Sequence, residues 1–116
     1  MPSSDIERLD AFDVVVVPFP YSDRLAEKRR PAVVISNRKL SALGLVWIAM
    51  ITSADNPSWP GDVVIADLKR SGLPVPSVVR PAKIACIEAS RVLRRSGRLD
   101  KATARVVSQR VRGLLS

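Results

Sequence analysis

The chain has 116 residues, one cysteine and no histidine. That length fits one domain, and the composition excludes an intrachain disulfide, Ser-His triads, histidine acid–base chemistry and histidine metal ligands. Nineteen Lys and Arg face 11 Asp and Glu, a formal net charge of +8, which favours a polyanionic partner: nucleic acid first, then a membrane surface or an acidic protein.

No run approaches the roughly 18 apolar residues of a membrane span. The polar start, Met1 to Glu7, lacks the apolar core of a signal peptide. Both point to a soluble cytoplasmic protein. A zinc site is not expected, and no metal or cofactor is assigned. Cys86 lies in the apolar run Ile84-Ala85-Cys86-Ile87 and reads as a small buried hydrophobe.

Residues 1–11 read as a mobile lead-in, with Ile6 and Leu9 spaced for one short helical turn. Residues 12–116 read as a single barrel domain. Asp13 followed by four valines is the strongest strand signal, suited to burial on both faces. Pro18-Phe19-Pro20 ends or bulges that strand, because neither proline can donate to a ladder. Tyr21 to Glu27 is a polar, charged connection.

Lys28-Arg29-Arg30-Pro31 then leads into Ala32-Val33-Val34-Ile35, a short β-branched run that Ser36-Asn37 closes. Pro31 pushes Arg30 into an extended conformation at the mouth of a buried strand. These residues alone leave two readings open: a cation aimed by its surroundings, or a solvated basic turn.

Asn37 to Gly44 reads as a connection, and Leu45 to Ile51 as a third strand ending at Thr52-Ser53. Ala54 to Gly61 is a turn-rich loop. Within it, Trp59 is either a plug closing a barrel end or a base-stacking platform, and burial economics favour the plug. Asp62 to Ala66 reads as a fourth strand and Asp67 to Pro74 as a loop. Ser77 to Arg80 is a short strand that Pro81 interrupts and Lys83 to Glu88 resumes; Arg91 to Leu93 adds a last pairing.

Asp100 is a good N-cap for a closing helix over about 100–115. Ala104, Val107, Val111 and Leu114 form its apolar stripe, with Lys101, Arg105 and Arg112 opposite as a solvated basic face. The pattern predicts a mainly β chain: a small, largely antiparallel barrel with a helix packed on it.

Five pieces of the sequence, in order, resemble the PemK/MazF-like toxin family. They are Val16 to Asp23, Lys28 to Ser36, Ile51-Thr52-Ser53, Pro76 to Arg80, and Gly97-Arg98-Leu99. Together they span nearly the whole chain from Phe12. The resemblance implies an SH3-like barrel of the CcdB/MazF type, a homodimer, and the toxin of a toxin–antitoxin pair. It also implies metal-independent cleavage of single-stranded RNA at short sequences, with the RNA's own 2′-hydroxyl as nucleophile. The family's catalytic arginine, in its Arg-Pro motif, falls on Arg30. Its catalytic threonine falls on Thr52, and Ser53 follows as a candidate for positioning.

The chain departs from the family in two places. Phe12-Asp13 stands where the first strand often opens with Gly-Asp, and Arg24 to Glu27 carries none of the glycines usual before the Arg-Pro motif.

The chemistry agrees with these assignments. A guanidinium is a permanently charged planar fork that can grip two phosphate oxygens. Neither Arg30 nor Thr52 is a base at neutral pH, so Asp23 and Glu27 are the candidate carboxylates for the proton. Lys28 and Arg29 supply groove charge. Phe19 and Tyr21, with Trp59, are the available stacking surfaces. Ser77, Arg80 and Lys83 complete the RNA-binding candidates, although taken singly they read as a turn residue and surface charges. The expected partners are single-stranded RNA and an acidic, partly disordered antitoxin. The competing function is a non-catalytic barrel that acts on a protein such as DNA gyrase, or an RNA-binding homologue that has lost catalysis.

Overall fold

The structure, a computed structural model, describes residues 8–18 and 28–116. Among the described residues, six strands and three helices follow in the order β1 (Asp13–Pro18), β2 (Arg29–Val34), α1 (Arg38–Ala42), β3 (Leu45–Ser53), β4 (Val63–Val64), α2 (Leu68–Ser71), β5 (Ser77–Glu88), β6 (Arg94–Arg98) and α3 (Lys101–Leu115). A 3-10 turn at Ala89–Arg91 joins β5 to β6. All six strands form one antiparallel sheet in the order β4-β5-β3-β2-β1-β6. This is the mainly β barrel with a closing helix that the sequence predicts.

Both faces of the sheet are buried, as the valine runs require. Val15, Val17, Ala32, Val34, Val46, Ile48 and Met50 make one core with Leu9, Ala89 and Val92. Val14, Val33, Ala49, Ile51 and Val79 make the other, under Ala104 and Val107 of α3. Successive residues alternate between the two cores, the period of a strand.

The β3–β5 ladder jumps from Ala49↔Ile84 to Met50↔Arg80. The extra residues Pro81, Ala82 and Lys83 form a bulge, where a proline's missing N–H is tolerated. A bulge of this kind bends and twists a strand, and β5 thus serves both β3 and β4.

The far edge, β6, is covered rather than left open. Ser96 donates its hydroxyl to the Ser71 carbonyl at 2.9 Å, which docks α2 on the strand. Two glycines allow this approach. A Cβ on Gly97 would stand 2.2 Å from the Arg70 carbonyl oxygen, and one on Gly72 (φ +73°) 2.3 Å from the Ser96 oxygen.

Asp100 caps α3 as expected, its carboxylate accepting from the Thr103 amide at 3.0 Å and the Thr103 hydroxyl at 2.7 Å. Burial alone would raise the Asp100 pKa, but these hydrogen bonds outweigh it and hold the carboxyl below its ordinary value. Thr103 also accepts from the Ala66 amide, tying α3 to the end of β4. No helix among the described residues is long and apolar enough to cross a membrane.

Several expectations are corrected. Leu9, placed in the lead-in, is a core residue with 1% exposure. The Ser41 hydroxyl donates to its carbonyl at 2.6 Å, which anchors residues 8–11. β2 starts at Arg29 rather than after Pro31, so Arg30 lies inside the strand. The connections at 37–44 and 67–74 each hold a short helix, nucleated by Asn37 and Asp67, whose side chains accept from Lys39 and Arg70 amides. β4 has only two residues. The last pairing falls on Arg94–Arg98, not Arg91–Leu93. Cys86 and Leu114 are exposed: Cys86 pairs with Trp47 on a part of the sheet that α3 does not cover.

The β6–α2 contact is backbone against backbone, so no rotamer change can relieve a clash. Gly97→Ala should lose about 3 kcal/mol, the upper end of overpacking costs, in urea unfolding. A change within about 0.5 kcal/mol, typical of a neutral surface site, would show that this contact does not hold the sheet closed.

Candidate active site

The sheet register brings the sequence candidates together. Val17 pairs with Arg30 across β1 and β2, and Ala32 with Met50 across β2 and β3. Continuing that antiparallel register places Arg30 opposite Thr52. Thr52 in turn pairs with Val78, and Met50 with Arg80. Arg30, Thr52 and Arg80 therefore share one face of the sheet, at the end of β1 farthest from Asp13.

They line a cavity of about 160 Å³, with Lys83, Asn56, Met50 and Ile51 completing its wall. Three cations converge there. Lys83 reaches the cavity because the bulge lifts it out of the ladder.

Thr52 is held by the turn that follows it. The Asn56 side-chain amide donates to Thr52 Oγ1 at 2.6 Å. That bond occupies a lone pair and leaves the hydroxyl proton free to be donated into the cavity. Asn56 is a site residue that the sequence reading missed; its only signal is its position four residues beyond Thr52 in a turn.

Arg80 is also fixed. It is 9% exposed. Its Nε and Nη2 donate to the two Asp62 oxygens at 3.1 and 3.0 Å, and Nη2 also donates to the Pro57 carbonyl at 2.9 Å. The guanidinium carbon lies 4.3 Å from the centroid of the Trp59 ring, a cation–π distance. Asp62 accepts from the Trp59 amide as well, at 2.9 Å. The Arg80 hydrogen bonds, joined by that of Trp59, hold the Asp62 carboxyl below its ordinary value against the opposing effect of burial.

Trp59 is thus not the expected plug. It is 44% exposed and stacks on an arginine of the cavity wall. Asp62, expected only to open a strand, organises the whole loop.

The other candidates divide. Lys28 and Arg29 are exposed, and strand alternation places Arg29 on the face opposite Arg30. Ser53 and Ser77 pair with each other but do not line the cavity. Ser53 accepts from the Asp55 amide, and Ser77 donates to the Val75 carbonyl; both hydroxyls shape turns. Phe19, Tyr21, Asp23 and Glu27 lie outside the described residues. Among the described residues no three carboxylate or thiol side chains gather in a way that could hold a metal ion.

Solved structures share this fold. A MazF from Deinococcus radiodurans superposes with a TM-score of 0.73 at 23% identity, covering 91% of this chain and 94% of that one. A MazE–MazF structure from the same organism gives 0.71 at 21%, covering 92% and 94%. The Mycobacterium tuberculosis toxin MazF-mt6 gives 0.70 at 19%, covering 89% and 95%. At these identities the likeness is one of fold. No curated protein matches the chain. The family assignment comes from the sequence pattern itself, which matches over residues 10–115, and the chain belongs to the PemK-like, MazF-like toxins of type II toxin–antitoxin systems.

Proposed function

We propose that this chain is a metal-independent endoribonuclease that cuts single-stranded RNA through the substrate's 2′-hydroxyl. The observation that carries the reading is the meeting of Arg30, Thr52, Arg80 and Lys83 around one small cavity. In the reaction the 2′-oxygen attacks the adjacent phosphorus and the bond to the 5′-oxygen breaks. The products are a 2′,3′-cyclic phosphate and a 5′-hydroxyl. One proton leaves the 2′-oxygen and one is delivered to the 5′-oxygen.

Charge builds on the non-bridging oxygens of the phosphorane. Preorganised donors aimed at those oxygens lower the barrier most. Arg30 supplies a bidentate fork and Thr52 a single O–H directed by Asn56. Lys83 adds a positive charge. Arg80, its Nε and Nη2 bound to Asp62, acts as a fixed wall, and Trp59 stacked upon it offers a half-exposed ring to an unstacked base. Asp23 and Glu27 are the candidate proton acceptors. The reading includes a homodimer, with a native mass of twice 12.7 kDa, and an antitoxin whose acidic segment covers the cavity; a mycobacterial endoribonuclease of the same fold is solved with its cognate antitoxin.

Arg30→Ala should abolish cleavage with the unfolding midpoint unchanged, and Thr52→Ala should cost ~10²–10³ in kcat. The assay is cleavage of an RNA pool in chelator, with the new ends sequenced. An Arg30→Ala protein that cuts as fast as the parent refutes the mechanism, and salt-sensitive binding without any cleavage by the parent points to a binder.

Asn56→Ala frees the Thr52 hydroxyl to rotate, so kcat should fall about tenfold with little change in KM. A fall in KM-dependent binding alone would contradict the positioning role.

Asp62→Asn should lower stability at neutral pH by about 3 kcal/mol, because it leaves Arg80 buried without its counter-charge. The native carboxyl titrates below the ordinary 3.8. Its stabilisation is therefore complete above that value and drains as pH falls through the lower native pKa. The gap between parent and variant, read by urea unfolding, should narrow only in strong acid. A gap independent of pH would show that the ion pair is not its source.

A further inference from the structure

A second cationic surface runs along β6 and α3 and shares no lining residue with the Arg30 cavity. Its first cleft, about 610 Å³, is walled by Arg8, Arg38, Arg94 and Arg95. Its second, about 520 Å³, lies between Arg70 and the α3 side chains Lys101, Arg105 and Arg112, over a floor of Phe12, Leu99 and Ala104. Arg98 lines both, so the two clefts form one continuous belt of nine cations, eight of them arginine. Two carboxylates, Asp10 and Asp13, line the first cleft, and among the described residues none lines the second. The whole chain has 19 cations to 11 carboxylates, so the belt is far more positive than the average surface.

Three local preferences of a folding chain are broken here. Lys101 puts a cation in the first turn of α3, where the helix dipole disfavours it. All four charges of α3 are positive, so they repel and gain no ion pairs along the helix. Phe12 has φ +74°, a left-handed conformation that costs a side-chain-bearing residue about 1–2 kcal/mol, and its ring lines the second cleft. The two charge choices do not help the fold, and Phe12 packs on the core under α3 only at the cost of its left-handed backbone. Departures of this kind concentrate where a surface is built for a ligand.

We propose that the belt is an accessory track for single-stranded RNA outside the segment being cut, an inference that rests on the RNA reading of the Arg30 cavity. The chemistry favours RNA over an acidic peptide. Arginine forks match phosphate oxygens, and Lys101 to Arg112 extends the rim along roughly 16 Å of helix, room for several phosphates. Ser108 and Gln109 place polar groups between those cations. A docked amphipathic helix needs a wide apolar stripe, and the floor offers only Phe12, Leu99 and Ala104. A strand of RNA needs charge along its backbone and a ring to stack on.

The test neutralises exposed rim residues in Lys101→Gln/Arg105→Gln/Arg112→Gln, with Arg8→Gln/Arg94→Gln as an independent second variant. Each should raise KM about tenfold for a long unstructured RNA. Cleavage of an oligonucleotide just long enough to fill the cavity should not change. In the Arg30→Ala background, the slope of log Kd for long RNA against log salt should become shallower by about two in the triple variant, three contacts at ~0.7 each. Parental KM and slope in both variants overturn the track. So does an equal loss on the short oligonucleotide, which would mean a general field effect. Unchanged RNA binding with lost binding of polyglutamate overturns it in favour of a protein partner. If the parent cuts neither RNA, the cleavage reading fails by itself, and the salt slope still decides the track.

Discussion

Val33 stands opposite Ala49 across β2 and β3, and a slip of one residue there would carry Arg30 from the face of Val17 and Thr52 to the face of α3. The register is strongly specified because both faces are buried. Val33 and Ala49 belong to the core under α3, and Ala32, Val34, Ile48 and Met50 to the other. Any slip would exchange the two sets. The site is therefore set by packing several residues away from it, and the polar cavity residues need not stabilise the sheet themselves. The bulge at Pro81 to Lys83 then adjusts one strand locally. It keeps Arg80 in register with Met50 while bringing Lys83 to the same opening.

The valine-rich strands and the N-cap at Asp100 could be read from the sequence because each rests on a strong local preference; Pro81, expected to interrupt a strand, instead sits in a bulge of the continuous β5. The family pattern also singles out Arg30 and Thr52, and the register brings those two residues to one face of the sheet. The misses have physical reasons. β6, Arg94-Arg95-Ser96-Gly97-Arg98, lacks apolar alternation because Asp13, from the neighbouring strand, accepts Arg95 and Arg98 at 3.2 and 2.7 Å. The helices at 38–42 and 68–71 are too short to show a period and depend on one capping side chain each. Cys86 sits in an apolar run, but a run does not say which part of a sheet a helix will cover. The apolar area of Trp59 predicts burial, whereas its place is set by a guanidinium distant in sequence.

The glycine that the family often carries before Asp13 has a structural explanation here. Position 12 is left-handed, a conformation that favours glycine. The chain holds Phe12 there nonetheless. Its carbonyl accepts from Leu99 and its amide donates to Val34, so the backbone is pinned from two strands' ends and the conformation persists despite the side chain. A requirement read as a sequence departure is met by neighbouring hydrogen bonds.

Asp13 and Asp62 perform the same service in two places. Each is a shielded carboxylate, 4% and 9% exposed at its side chain, beside arginines of a neighbouring strand. A shielded carboxylate lets a strongly basic chain fix guanidinium groups in place without neutralising the surface around them. At the cavity, Asp62 takes Nε and Nη2 of Arg80 and so fixes that guanidinium in the wall beside Arg30 and Thr52. At the belt, Asp13 orients Arg95 and Arg98, while among the described residues no carboxylate lines the second cleft. The difference separates the two surfaces in kind. One is a small cavity of fixed geometry. The other is an extended row of cations, a surface whose chemistry matches a run of phosphates whatever their sequence.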